Sequence, residues 1–117
     1  MQAAATIAEK TGSNPLKQAL DRAAQLLDTQ PDAALAAAEA VLEQAPGLPP
    51  AELLACQALR RLCRPRAALP RLAALARSHP RVPAVTWELA QAASEAGESE
   101  QAIAALESLT RQQPQVA

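Results

Sequence analysis

Apolar residues recur along most of the chain at the three- and four-residue spacing of amphipathic helices, and they do so in pairs of segments. The clearest pair lies between Arg81 and Pro114, where Gly97 separates the two segments and Pro114 follows the second. Its apolar positions are Trp87, Leu89, Ala90 and Ala93 in the first segment, and Ala102, Ile103, Leu106 and Leu109 in the second. This pattern predicts a helix, a tight turn and an antiparallel second helix.

The same helix pair recurs at a fixed interval. Its closing prolines, Pro46, Pro80 and Pro114, are each 34 residues apart, and a regular period of this length is typical of helical-repeat proteins. We therefore predict one domain over residues 14–117, with repeats at about 14–46, 49–80 and 83–114, preceded by a flexible leader at residues 1–13.

The repeat units resemble those of the tetratricopeptide repeat (TPR) family. The matching positions are Ala55, Cys56, Leu59, Ala68, Leu72, Leu75 and Pro80 in the second copy, and Leu89, Ala90, Ala93, Gly97, Ala102, Leu106, Leu109 and Pro114 in the third. The first copy departs from the pattern, because Asp21, Arg22 and Gln25 stand where its first helix should be apolar. The resemblance implies an all-α, right-handed helical-repeat solenoid of three TPR-like antiparallel helix pairs.

Composition favours an all-helical fold and excludes several classes of protein. Half of the residues are apolar, yet there is one Trp and no Phe or Tyr, and the abundant Ala is the best helix former. The formal net charge of −1 argues against a generally basic nucleic-acid-binding protein. No run is long and apolar enough for a membrane span, and the N-terminus lacks the pattern of a signal peptide, so we expect a cytoplasmic protein.

Residues that perform catalysis or bind metal ions are sparse. His79 is the only histidine, and its place at a predicted helix end favours a capping or solvated role over that of a general base. Cys56 and Cys63 lie two turns apart on one predicted helix, beyond disulfide reach, and we expect two buried or half-buried thiols. The sequence predicts no cofactor, no metal site and no enzymatic activity for this chain by itself.

Two positions in the second repeat depart from the usual rules for helices. Cys63 stands at the turn where the family usually has Gly, although Gly tolerates the left-handed conformation better. Pro70 falls inside the predicted second helix. A helix that starts at Pro65 should bend at Pro70, whereas one that starts nearer Ala67 would place Pro70 in its first turn at little cost. We favour a bend.

Charge is distributed unevenly between the second and third repeats. An acid-free run of arginines comprises Arg60, Arg61, Arg64, Arg66, Arg71, Arg77 and Arg81, and it is followed by Glu88, Glu95, Glu98, Glu100 and Glu107. One interpretation is that neighbouring repeats attract each other through these side chains. The other is that the arginines bind an anionic partner or a neighbouring domain.

First helices line the concave face in the TPR family, and the resemblance implies that a protein or peptide partner binds there. The candidate residues are Leu53, Gln57, Arg60, Arg61, Trp87, Glu88, Gln91 and Glu95. Trp87 is the predicted anchor, and the alternative is that it packs against Leu59 and Leu62 as the only large core residue. The basic clamp with which some members hold chaperone carboxylates is not matched.

The sequence pattern of residues 26–47, with the later WELA at 87–90, is similar to that of the N-terminal repeat arrays of bacterial TPR-containing sulfotransferases. That resemblance implies a segment that recruits substrate, dimerises or braces a catalytic domain. Two hypotheses therefore stand, a free-standing scaffold that binds proteins or peptides and a non-catalytic segment of a larger enzyme. A third, more distant one is an anion-binding module that uses the arginine run.

The last predicted helix carries apolar residues for which the sequence offers no further helix. Repeat stacks usually need a polar capping element at their ends. We expect Ile103 and Leu106 to be covered by another copy of the chain, through a two-fold contact, or by a missing C-terminal domain. The alternative is a monomer whose exposed face is tolerable because it is rich in alanine.

Overall fold

The computed structural model describes residues 15–112, and this part of the chain is helical without any strand. The helices are α1 (Pro15–Leu26), α2 (Pro31–Gln44), α3 (Pro49–Arg61), α4 (Pro65–Ser78), α5 (Pro83–Glu95) and α6 (Ser99–Gln112). They form three consecutive pairs, as the 34-residue period predicts. The all-α repeat fold is confirmed, while the proposed leader and Pro114 lie outside the described residues.

Proline and left-handed residues determine where the helices begin and end. Pro31, Pro49, Pro65 and Pro83 each occupy the first turn of their helix, where the missing N–H costs nothing and the fixed φ favours helical geometry. Helix α4 begins at Pro65, so a start nearer Ala67 is wrong. Pro70 therefore lies beyond the first turn, and its effect on the course of the helix stays a prediction.

The turns of the second and third pairs are built alike although their residues differ. Cys63 has φ 62° and Gly97 has φ 81°. In each turn the following N–H, of Arg64 or Glu98, donates to a carbonyl five residues back, at 2.8 Å in both cases, which is the Schellman pattern. Cys63 is exposed rather than half-buried, because a residue in this conformation directs its side chain away from the helix end.

Replacing Cys63 with Gly should raise the free energy of unfolding by up to about 1 kcal/mol, because the left-handed conformation costs a residue with a Cβ about 1–2 kcal/mol. Urea denaturation measures the change. The matched control is Gly97→Ala at the equivalent turn, which should be destabilising through the backbone alone, since an added Cβ there meets no atom within 4 Å. A Cys63→Gly protein that is less stable than the unchanged chain would contradict this account.

The stack is curved, with the first helices on its inner side. Consecutive helices pack on each other throughout the described chain, and α1 also contacts α3, as α3 contacts α5. The second helices α2, α4 and α6 make no such contacts with one another. Because the first helices lie closer together than the second ones, α1, α3 and α5 form the inner row of the solenoid, which is the face where family members bind partners.

Small side chains fill the core, and its centre lies in the second repeat. The predicted core positions Ala55, Cys56, Leu59, Ala68, Leu72 and Leu75 are all buried. Leu72 is fully buried, and it belongs to a cluster that joins α3 and α4 to Ala92, Ala93 and Ala96 of the third pair. Burial raises the pKa of the Cys56 thiol to about 12, so this thiol remains protonated at neutral pH.

The first repeat uses a shifted set of apolar residues, as its sequence indicates. Asp21, Arg22 and Gln25 are exposed. Ala23 and Leu27 are buried instead, and Leu27 packs in a small cluster with Ala34 and Ala58. The first helix therefore rotates its polar side outward, at the N-terminal end of the described stack.

Candidate functional site

The candidate residues lie at three levels along the inner row. Leu53 and Trp87 occupy equivalent positions of α3 and α5, 34 residues apart, and so do Gln57 and Gln91. The third level holds Arg61 and Glu95. Since equivalent residues of stacked repeats lie side by side, the inner row presents an apolar level, an amide level and a charged level in succession.

Arg60 joins α3 to α5 at the centre of this surface. Its Nη1 donates to Glu88 Oε1 at 2.5 Å, and its Nε and Nη2 donate to the two oxygens of Glu95 at 3.0 and 2.8 Å. Gln57 Nε2 donates to the other oxygen of Glu88 at 3.0 Å. The forked guanidinium matches both carboxylates, which gives these hydrogen bonds their strength and direction.

Burial and pKa follow from this network. The side chains of Arg60 and Glu88 are only 15% and 11% exposed, whereas that of Glu95 is 41% exposed. The hydrogen bonds from Arg60 lower the pKa of the Glu95 carboxyl, although partial burial opposes the effect. Hydrogen bonding to Glu95, and then to Glu88, raises the pKa of the Arg60 guanidinium. One cation thus faces two anions, which leaves a net negative charge on the cluster of Arg60, Glu88 and Glu95.

Trp87 stands out from the inner row. It is 48% exposed and belongs to neither buried cluster, so the interpretation of Trp87 as a core residue is wrong. Val85 and Thr86, its predecessors in α5, are buried instead, and they occupy the sides of the helix that face the stack.

The family model described as Tetratricopeptide repeat matches residues 63–117. This match covers just under half of the chain, and together with the helix pairs it supports a tetratricopeptide-repeat (TPR) assignment. No curated protein and no solved structure matches the chain, so the resemblance to sulfotransferase repeat arrays stays a prediction. The matched residues run from the turn after α3 through α4 and the third repeat, and the helix pairs described above extend the same geometry to the first repeat.

The predicted residues of the inner row differ widely in their exposure to solvent. Arg61, Trp87 and Glu95 are exposed, Leu53, Gln57, Arg60 and Gln91 are partly buried, and Glu88 is buried. Glu88 is buried and accepts hydrogen bonds from Arg60 and Gln57, so its carboxylate is not open to direct contact by a partner. It positions Arg60 instead.

Most arginines of this run form ion pairs within the helical-repeat array. Arg60 and Arg66 bind carboxylates of the third repeat, and Arg61 binds Asp28 of the first, which confirms that neighbouring repeats attract each other through these side chains. Arg64, Arg77 and Arg81 make no ion pair within the described residues. Arg64 precedes the first turn of α4, whereas Arg77 and Arg81 lie at its other end.

A second network on the outer side escaped the sequence interpretation. Arg71 of α4 donates to both oxygens of Glu39 in α2, at 3.0 and 3.1 Å, and its Nε donates to Glu52 in α3 at 3.1 Å. It bridges the second helices of the first two repeats, whose backbones are not in close contact. The equivalent positions in the other repeats are Ala37 and Ala105, and an Arg among alanines at one repeat position was the available signal.

The residues that commonly bind metal ions are dispersed over the described part of the chain. Over the described part of the chain, His, Cys, Asp and Glu never gather in a group of three or more that would hold a metal ion. His79 caps the end of α4, where its backbone N–H donates to the Leu75 carbonyl at 2.8 Å. None of the described helices has the length and apolar character that a membrane span requires.

Proposed function

We propose that this TPR array is a non-catalytic module that binds an extended segment of another protein along its inner row. The family consists of protein-interaction modules, and the observation that carries the proposal is the exposure of Trp87 on that row. Exposed aromatic side chains beside well-packed neighbours are the usual anchors of protein interfaces. The partner offers a large apolar side chain to this anchor.

Leu53 supports the same assignment. It lies at the level of Trp87 on the adjacent helix, is partly buried, and packs against the main core cluster. An apolar ligand side chain placed beside Trp87 would therefore also cover Leu53. Contact with a fixed wall costs little entropy, because only the ligand has to be ordered.

The polar levels of the inner row define the rest of the ligand. Gln57 donates its amide nitrogen to Glu88, which leaves its side-chain oxygen to accept a hydrogen bond from a peptide N–H. The side chain of Gln91 makes no hydrogen bond within the described residues. Since Arg60 is already bound by two carboxylates, it does not select an acidic ligand. We propose an extended peptide with a large apolar residue and, toward Glu95, a basic one.

Peptide display tests this proposal without a known partner. Peptides selected on the immobilised chain are titrated into the chain in solution, and the emission of its single Trp reports binding. Trp87→Ala should weaken binding at least about 30-fold, as expected for a hot-spot residue, when followed by calorimetry. Its thermal unfolding should stay close to that of the unchanged chain, because Trp87 is half exposed.

The matched control is Leu106→Ala, which also removes a half-exposed apolar side chain, on the outer helix α6. This variant should bind the selected peptides as the unchanged chain does. Selected peptides that bind the Trp87→Ala protein and the unchanged chain with equal affinity would contradict the proposal.

A further inference from the structure

Helix α6 carries an apolar surface that the other second helices bury. Ile103 is 56% exposed and Leu106 is 44% exposed. The residues at the same repeat positions of α4 are Leu69 and Leu72, which are 9% and 0% exposed, because the third helix pair packs over them. Within the described residues, the backbone of α6 lies close to that of α5 and of no other helix. The α6 end face, defined by Glu100, Ile103, Leu106, Glu107 and Arg111, is thus an interface position that no other described helix covers.

The other end of the stack does not offer a matching surface. Lys17 and Asp21 of α1 occupy the repeat positions of Ala51 and Ala55, which are fully buried in α3. The two charged side chains are exposed and form an ion pair at 3.4 Å. Head-to-tail docking of one copy on another would bury these charges at a large cost in desolvation, so the α6 end face does not extend the array into a filament.

We infer that the α6 end face binds the same face of a second copy, with the two α6 helices antiparallel about a two-fold axis. Such a contact is self-complementary by symmetry. It places Ile103 of each copy against Leu106 of the other, so that four half-exposed apolar side chains cover one another. This surface is separate from the inner row and does not depend on the peptide-binding proposal.

The charges of the end face fit this arrangement. Glu100 and Arg111 are 11 residues apart, which is about three helical turns, so they lie on one flank of α6 at opposite ends of the apolar pair. In an antiparallel two-fold pair, equal flanks face each other. Glu100 of each copy then lies level with Arg111 of the other. Neither side chain makes an ion pair within the described residues, and both remain available for a partner.

Sedimentation velocity of the full chain over a wide concentration range tests the inference. We expect a reversible monomer–dimer equilibrium, and Ile103→Glu should raise its dissociation constant at least about tenfold, because a charge would then be buried at the apolar centre. The control is Val82→Glu, at an apolar residue that is 40% exposed at the start of α5, which should leave the equilibrium unchanged. Circular dichroism verifies that each variant is folded.

Charge exchange tests the antiparallel register. Glu100→Arg and Arg111→Glu should each weaken self-association, since each creates two like-charged contacts in the dimer. An equimolar mixture of the two variants should form heterodimers, because both contacts are then attractive. A chain that stays monomeric at all concentrations overturns the inference, as does association that is indifferent to Ile103→Glu. Variants that dimerise separately as well as they do when mixed overturn the proposed register.

Discussion

Replacing Leu72 with Ala should lower the free energy of unfolding by about 2–5 kcal/mol, the range for truncating a filled core position. Leu72 is fully buried, and its neighbours in the main cluster are mostly alanines. Alanine side chains have no rotamers with which to fill a new cavity, so we expect a value in the upper part of this range. Urea denaturation followed by circular dichroism gives the change directly.

The chain contains a matched control for this substitution. Leu106 lies 34 residues later at the same repeat position, but it is 44% exposed. Leu106→Ala should cost less than about 1 kcal/mol when measured at a concentration where the chain is monomeric. Equal costs for the two substitutions would show that the third repeat does not cover the second as described.

The periodic part of the fold could be predicted from the sequence, because it depends on repetition. Leu72 and Ala68 are buried for the same reason as their equivalents in other repeats, and a 34-residue interval between stop signals at Pro46, Pro80 and Pro114 places them in register. Positive φ at Cys63 followed in the same way from the turn position that it shares with Gly97.

The inner row could not be predicted as fully, since hydrophobicity alone puts Trp87 inside and Glu88 outside. The structure has the reverse order. Arg60 and Gln57, on a different helix, satisfy the Glu88 carboxylate, and this compensation makes its burial acceptable. The identity of such a pair depends on three-dimensional neighbours, which a helical pattern along the chain does not contain. The pairing of Arg71 with Glu39 could not be predicted for the same reason.

Replacing Arg60 with Ala should lower the free energy of unfolding by about 2–4 kcal/mol, somewhat less than breaking a fully buried ion pair costs. Most of this cost comes from the Glu88 carboxylate, which is 11% exposed and would be left with Gln57 as its only partner. Removing one member of a buried ion pair costs more than the pair contributes, because the remaining charge is desolvated without compensation. The double variant Arg60→Ala/Glu88→Gln should therefore be more stable than Arg60→Ala alone.

The adjacent Arg61 is the matched control. It also binds a carboxylate of another helix, but its partner Asp28 is 80% exposed, so Arg61→Ala should cost at most about 0.5 kcal/mol. Denaturation midpoints of the three variants and the unchanged chain provide the comparison. If Arg60→Ala and Arg61→Ala lowered the free energy of unfolding by the same small amount, the Arg60 network would contribute no more to stability than an exposed ion pair.

Lowering the pH should reduce the difference in stability between the Arg60→Ala protein and the unchanged chain. Arg60 lowers the pKa of Glu95 in the folded chain below its value in the unfolded chain. A carboxyl with a lowered folded pKa stabilises the fold at pH values above its unfolded pKa, and this contribution is lost as the pH falls through the folded pKa. Without Arg60 the contribution is absent at every pH. Urea midpoints measured between neutral pH and about pH 3 should therefore converge for the two proteins, and a constant difference over that interval would show that the Arg60–Glu95 contact carries no charge-dependent stability.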